Sequence, residues 1–131
     1  MRFLIALAPM AFATACATSG PAVDGMTPAS VAETVDMTAA LNFSPNAVTI
    51  NSGETVEFRN ISTFTHTVST TADTPAETQA VMLPNGAEAF DSGAVAPGET
   101  FTHTFTTPGT YRYFCEPHVG QGMIGTVIVN P

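Results

Sequence analysis

Tyr111-Arg-Tyr-Phe-Cys115-Glu-Pro-His118-Val-Gly-Gln-Gly-Met123-Ile-Gly-Thr-Val-Ile-Val129 is the stretch on which the reading of this chain turns. Tyr111, Tyr113 and Cys115 alternate with Arg112 and Phe114, the period of two of a strand. Ile124–Asn130 is rich in β-branched residues and reads as a second strand. The residues between them are loop formers. Pro117 fixes φ and has no N–H to donate, while Gly120 and Gly122 permit a tight return. The stretch is therefore strand–loop–strand, and its loop presents Cys115, His118 and Met123 at the spacing C-x2-H-x4-M.

Outward from there, short β-rich runs alternate with turn signals. Val35–Leu41, Ala47–Ile50, Thr55–Arg59, His66–Thr70 and Thr100–Thr106 are predicted strands, followed by Thr110–Cys115 and Ile124–Asn130. Ser44-Pro45-Asn46, Asn51-Ser52-Gly53, Ala96-Pro97-Gly98 and Thr107-Pro108-Gly109 supply the turns. Phe101, His103 and Phe105 share one face of their strand, with Thr102, Thr104 and Thr106 opposite. Asp73–Leu83 is less regular, and within it Ala76–Met82 has weak helical character. The pattern predicts an all-β sandwich or barrel.

The chain has 131 residues, 44% of them hydrophobic and 11% charged, which fits one domain with a real core. Eleven acids stand against three arginines, with no lysine, for a net charge of −8. Such a surface repels nucleic acid and anionic lipid, which need clustered basic residues. Residues 1–15, MRFLIALAPMAFATA, place Arg2 before an apolar run and then small residues, as in an export signal too short to span a membrane. Ala13-Thr14-Ala15-Cys16 resembles a bacterial lipobox, so Cys16 is expected to be lipidated; the alternative is ordinary cleavage at an A-x-A-like site. Residues 16–33 read as a flexible linker with an r.m.s. span of roughly 20–24 Å, and residues 34–131 as the folded domain.

The loop carries the chemistry. Thiolate, imidazole and thioether form a soft donor set suited to both oxidation states of copper, and a second imidazole would complete a trigonal His2Cys plane with a long axial Met. His66 and His103 are the candidates. His103 lies in mid-strand between Phe101 and Phe105, whereas His66 opens a strand after a Thr-rich turn, where a side chain can project from the end of a sandwich. His66 is therefore the better ligand. Zinc is less suited to a Cys/Met pair. A Cys115/His118 nucleophile–base dyad lacks an orienting Asn or Asp and an oxyanion motif.

These residues, with Thr107-Pro-Gly-Thr-Tyr111, Gly122-Met-Ile-Gly-Thr126, Leu41-Asn-Phe-Ser-Pro45, Ser52-Gly-Glu-Thr-Val-Glu-Phe58 and Asn60 through Val68, resemble the small blue copper proteins of the plastocyanin, pseudoazurin and halocyanin group. The resemblance covers about Val35 to Asn130. It implies a cupredoxin-like Greek-key β-sandwich of about 7–8 strands. It further implies one type 1 copper ion held by His66, Cys115 and His118, with Met123 as axial ligand. The His118 edge would lie in an apolar patch and pass the electron, and Thr67 would tie the two ligand loops together.

Two positions depart from the family. Gln121 stands where plastocyanins usually have Ala, and Phe114 where plants have Tyr. The acids Asp73, Glu77, Glu88 and Asp91 are scattered along the chain rather than forming a plant-like run. The expected function is a mobile one-electron carrier on the periplasmic side, monomeric and not an enzyme. Its partner would be a cytochrome c, a bc-type complex, a photosystem or a terminal reductase or oxidase. The alternative is a periplasmic copper-binding or delivery protein, for which Met-rich or His-rich tracts are absent.

Overall fold

The computed structural model describes residues 30–131. The export signal, Cys16 and most of the linker lie outside the described residues. Seven strands form two mixed sheets. One contains β1 (Val31–Met37), β2 (Phe43–Ser44), β4 (Glu54–Asn60) and β5 (Thr100–Phe105), in the order β2-β1-β4-β5. The other contains β3 (Ala47–Asn51), β6 (Gly109–Phe114) and β7 (Ile124–Asn130), in the order β3-β7-β6. β1 runs parallel to β4 and β3 parallel to β7, while the other pairs are antiparallel.

Alternation makes the sandwich. In β3, Val48 and Ile50 are buried between exposed neighbours, and in β7, Val127 and Val129 turn inward with the same period. They face Val35, Met37, Val56 and Phe58 from the first sheet in one continuous core. Tyr113 is its centrepiece, with its ring edge-on to Phe43 at 4.7 Å and to Phe58 at 5.2 Å. Gly125, across from it on β7, has no room for a Cβ because the Tyr113 hydroxyl occupies that space. Burying each large side chain contributes about 1.5–3 kcal/mol.

β1 begins earlier and ends earlier than the predicted Val35–Leu41. Its parallel partner β4 matches Val31 through Met37 to Thr55 through Asn60, so residues 31–33, placed in the linker by composition, belong to a strand. The chain then turns: Thr38 N donates to Asn42 O at 3.0 Å, Leu41 N donates to Thr38 O at 3.1 Å, and Leu41 takes a φ of 59° that no strand allows.

The predicted strand His66–Thr70 is a second correction. The segment makes only single bridges, His66 to Val95 and Ser69 to Asp91 and Phe114. Hydroxyls take the place of ladder partners: Val68 N donates to Ser92 Oγ at 2.8 Å, Thr71 N to Ser69 Oγ at 3.0 Å and Phe90 N to Thr70 Oγ1 at 2.8 Å. The weakly helical stretch is a short helix, α1 (Pro75–Ala80), closed by a Thr74/Glu77 capping box with Pro75 in its first turn.

Candidate metal centre

Two segments converge at one end of the sandwich. β6 delivers Cys115 at its C-terminal end, and residues Glu116–Gln121 then form a 3-10 turn carrying His118. The loop closes on itself: Cys115 N donates to Met123 O at 3.1 Å, His118 N to Cys115 O at 3.1 Å and Met123 N to His118 O at 3.2 Å. Gly122 ends the turn at a φ of 82°, in the left-handed region that glycine adopts readily. Met123 follows, fully buried.

The second segment is the loop before His66, which is fully buried and clipped to Val95 by a pair of backbone hydrogen bonds. Sequence reading missed what holds this loop. Asn60 Nδ2 donates to Phe64 O at 2.7 Å and to Val95 O at 2.9 Å, while Asn60 Oδ1 accepts from Ser62 Oγ at 2.8 Å. Ser62 Oγ in turn lies 2.9 Å from His66 Nε2. This chain orients the ring and leaves Nδ1 facing the cavity. The only sequence trace was a pair of polar residues, Asn60 and Ser62, six and four positions ahead of His66.

His66 Nδ1, His118 Nδ1 and Cys115 Sγ meet there. The two nitrogens are 3.2 Å apart, and the sulfur lies 3.6 Å from the first and 3.3 Å from the second. A point equidistant from all three sits about 2 Å from each, a metal–nitrogen bond length, and a small shift away from the sulfur reaches the longer metal–sulfur distance of about 2.3 Å. A buried soft donor triangle of this size fits a copper ion. Among the described residues it is the cluster of His, Cys and acidic groups able to hold a metal.

Thr67 ties the two segments together as expected: its Oγ1 accepts from Glu116 N at 2.8 Å, and its own N–H points at Cys115 Sγ at 3.4 Å. Burial pushes the Cys115 thiol up, and the Thr67 contacts only partly oppose this. A cation in the triangle is what makes it a thiolate. Burial, reinforced by the neighbouring His118, pushes the His66 imidazole down and keeps it neutral, the form that binds metal.

His103 is not part of this site. It sits on β5 opposite Val56, stacked on Phe90 with ring centroids 4.0 Å apart and edge-on to Phe105 at 4.7 Å. Beside the site, Phe64 lies 6.4 Å from His118 and 6.5 Å from His66, centroid to centroid, and with Ile61 it presents an exposed apolar surface. The acids are less scattered than the sequence suggested. The fold brings Asp91 and Glu77 near Glu116, which follows Cys115, and burial together with these two acids pushes the Glu116 carboxyl up.

The family model for copper binding proteins, plastocyanin/azurin family, matches residues 29–130. Plastocyanin of Scenedesmus fuscus is 42% identical over 95 residues, covering 70% of this chain and 89% of that protein. Chloroplastic plastocyanin of Oryza sativa subsp. indica is 43% identical over 94 residues, covering 69% of this chain and 56% of that one, so the chain spans little more than half its length. Among solved structures, a pseudoazurin from a Sinorhizobium species is 30% identical with a TM-score of 0.57, covering 76% of this chain and 73% of that one. An oxidised amicyanin mutant is 26% identical with a TM-score of 0.58, covering 76% and 82%. With its donor triangle, its strand–loop–strand and this likeness taken together, the chain belongs to the plastocyanin/azurin family of copper-binding proteins, and its cofactor is a type 1 copper ion.

Proposed function

We propose that the chain is a mobile one-electron carrier whose copper ion would be held by His66, Cys115 and His118, with Met123 as a weaker fourth ligand. The observation that carries this is the buried triangle of one sulfur and two nitrogens on a loop closed by its own backbone. When bound, copper supplies a Cu(II)/Cu(I) couple, and a His2Cys set with a weak axial Met lies between the preferences of the two states. The protein's part is to hold these donors still. Asn60 and Ser62 fix the His66 ring, Thr67 joins the two segments, and the Cys115–Met123 loop is braced by its own backbone hydrogen bonds. Little then has to move when an electron enters or leaves.

The exit is the His118 edge. This ring is half-buried, its Nε2 has no hydrogen-bond partner among the described residues, and Phe64 and Ile61 offer apolar surface nearby. A redox partner docked there meets the imidazole directly. Partner classes compatible with the acidic surface are a cytochrome c, a bc-type complex, a photosystem and a terminal reductase or oxidase. The N-terminal segment supports export to the periplasmic side with an anchor at Cys16.

The test is an optical and EPR titration of the purified chain with Cu(II), followed by ascorbate. One copper per chain, with an intense thiolate-to-copper band that bleaches reversibly, is the expected result. A pale complex that yields its copper to a modest chelator would replace this reading with copper delivery.

A further inference from the structure

Arg59 and Arg112 are the arginines among the described residues of a chain with a net charge of −8. Their surroundings differ. Arg59 Nη2 meets Asp36 Oδ1 at 2.9 Å. Arg112 has no carboxylate within ion-pair distance and no side-chain hydrogen bond among the described residues, although it is half-buried. Its backbone, by contrast, is pinned: Arg112 N donates to Met82 O at 2.9 Å and Met82 N to Arg112 O at 3.1 Å, which fastens the outer edge of β6. α1 packs over this edge and against the 3-10 turn.

A groove of about 410 Å³ runs between these elements. Ala80, Val119 and Ile124 give it apolar walls, Gly120 lies at its rim, and Arg112 and Gln79 are its polar groups. Val119 and Gly120 directly follow His118, so an occupant of the groove would lie beside the proposed electron exit. We infer that this groove takes a carboxylate side chain, presented next to an apolar neighbour, of the protein that exchanges electrons with the copper centre.

Three observations support that occupant. A guanidinium is a planar fork matched to a carboxylate, and it tolerates partial desolvation better than an ammonium. An otherwise acidic surface repels anions, so one unpaired cation gives a docking anion a single preferred place and orientation. The volume suits one or two side chains rather than a bulky cofactor. The inference rests on the electron-carrier reading and adds to it a partner chemistry, an acidic residue set beside the apolar contact around His118.

The test has two arms. In the first, the reduced protein is mixed with hexacyanoferrate(III); one electron leaves the copper centre, hexacyanoferrate(II) forms, and no bond is made or broken. Removing one positive charge ~8 Å from a triply charged anion at ~0.1 M salt should slow the reaction about three-fold. Arg112→Gln should show that loss, Arg112→Lys should recover most of the rate, and Arg59→Gln should lose clearly less. In the second arm, redox-inert hexacyanocobaltate(III) is titrated into the unmodified reduced chain, and the amide signals of Val119, Gly120 and Ile124 should shift.

Equal slowing by Arg112→Gln and Arg59→Gln would show only a net-charge effect and overturn the proposal, as would shifts scattered over the surface. Inorganic phosphate reproducing the shifts, with no rate effect of Arg112→Gln, would assign the groove to a free anion and also overturn it. The titration transfers no electron, so it decides the groove even if the chain never shows a blue band, a result that would refute the carrier reading instead.

Discussion

The copper end of the sandwich and its β5 flank both set an imidazole among aromatic rings, buried at the end and half-buried on the flank, yet among the described residues only the end gathers donors for a metal. On the flank, His103 has Phe90 stacked on its face and Phe105 against its edge. At the end, His66 has Phe64 near its edge and a second imidazole 5.0 Å away, centroid to centroid. What separates them is convergence. A regular strand points neighbouring side chains to alternate faces, so β5 brings no second donor to His103. Two loops meeting at a sandwich end bring three donor atoms to one point. A histidine becomes a ligand through where its backbone ends, more than through what its ring touches.

The sharpest break of this comparison is at the sulfur. Cys115→Ser should abolish the visible charge-transfer band, while His103→Gln should leave the band and the copper stoichiometry as they are; an optical titration of both variants decides it. Next in size is the brace behind His66. Ser62→Ala should keep the colour but lower copper affinity about 10–100-fold, as removal of outer-shell partners does, measured by competition with a chelator. Thr67→Ala should shift the spectrum and the potential without loss of copper, and an unchanged spectrum and potential would show that the tie between the loops is idle.

The flank makes its own prediction. Burial pushes His103 down, so the folded chain binds a proton there less readily than the unfolded one. The unfolded state then takes up the extra proton as pH falls through the ordinary histidine value of about 6.5, and stability declines. Thermal melts of the copper-free protein between pH 7.5 and 5 should fall less steeply for His103→Gln than for the parent. The smallest effect lies in the core between the two regions. The Tyr113 hydroxyl is buried without a partner among the described residues, and such a group costs about 1–3 kcal/mol. Tyr113→Phe should raise the melting temperature by a few degrees.

Much of the copper end was legible because its key residues are close in sequence. Cys115, His118 and Met123 lie within one loop, and their turn residues announce it. His66 is remote in sequence, and its place followed from its position after a turn and from the family resemblance. The brace was not legible, because Asn60 and Ser62 act through side-chain geometry that no periodicity encodes. The same physics hid the broken strand after His66. Ser69, Thr70 and Ser92 are good strand or turn residues by composition, but their hydroxyls satisfy the backbone in place of a ladder. The meeting of Glu116, Asp91 and Glu77 was invisible for a simpler reason: it depends on three segments folding together.

The strand order also sets a sequence of events in time. Among the described residues β3 pairs only with β7, the last of the seven strands, and the copper loop hangs between β6 and β7. While the polypeptide is being made, β3 waits with an open edge and the thiol has no second wall. Such non-local pairing closes late and leaves apolar surface exposed until it does. The donor atoms therefore have no finished wall to meet against until β7 has been made, and copper loading is a step that follows completion of the sandwich rather than one that guides it.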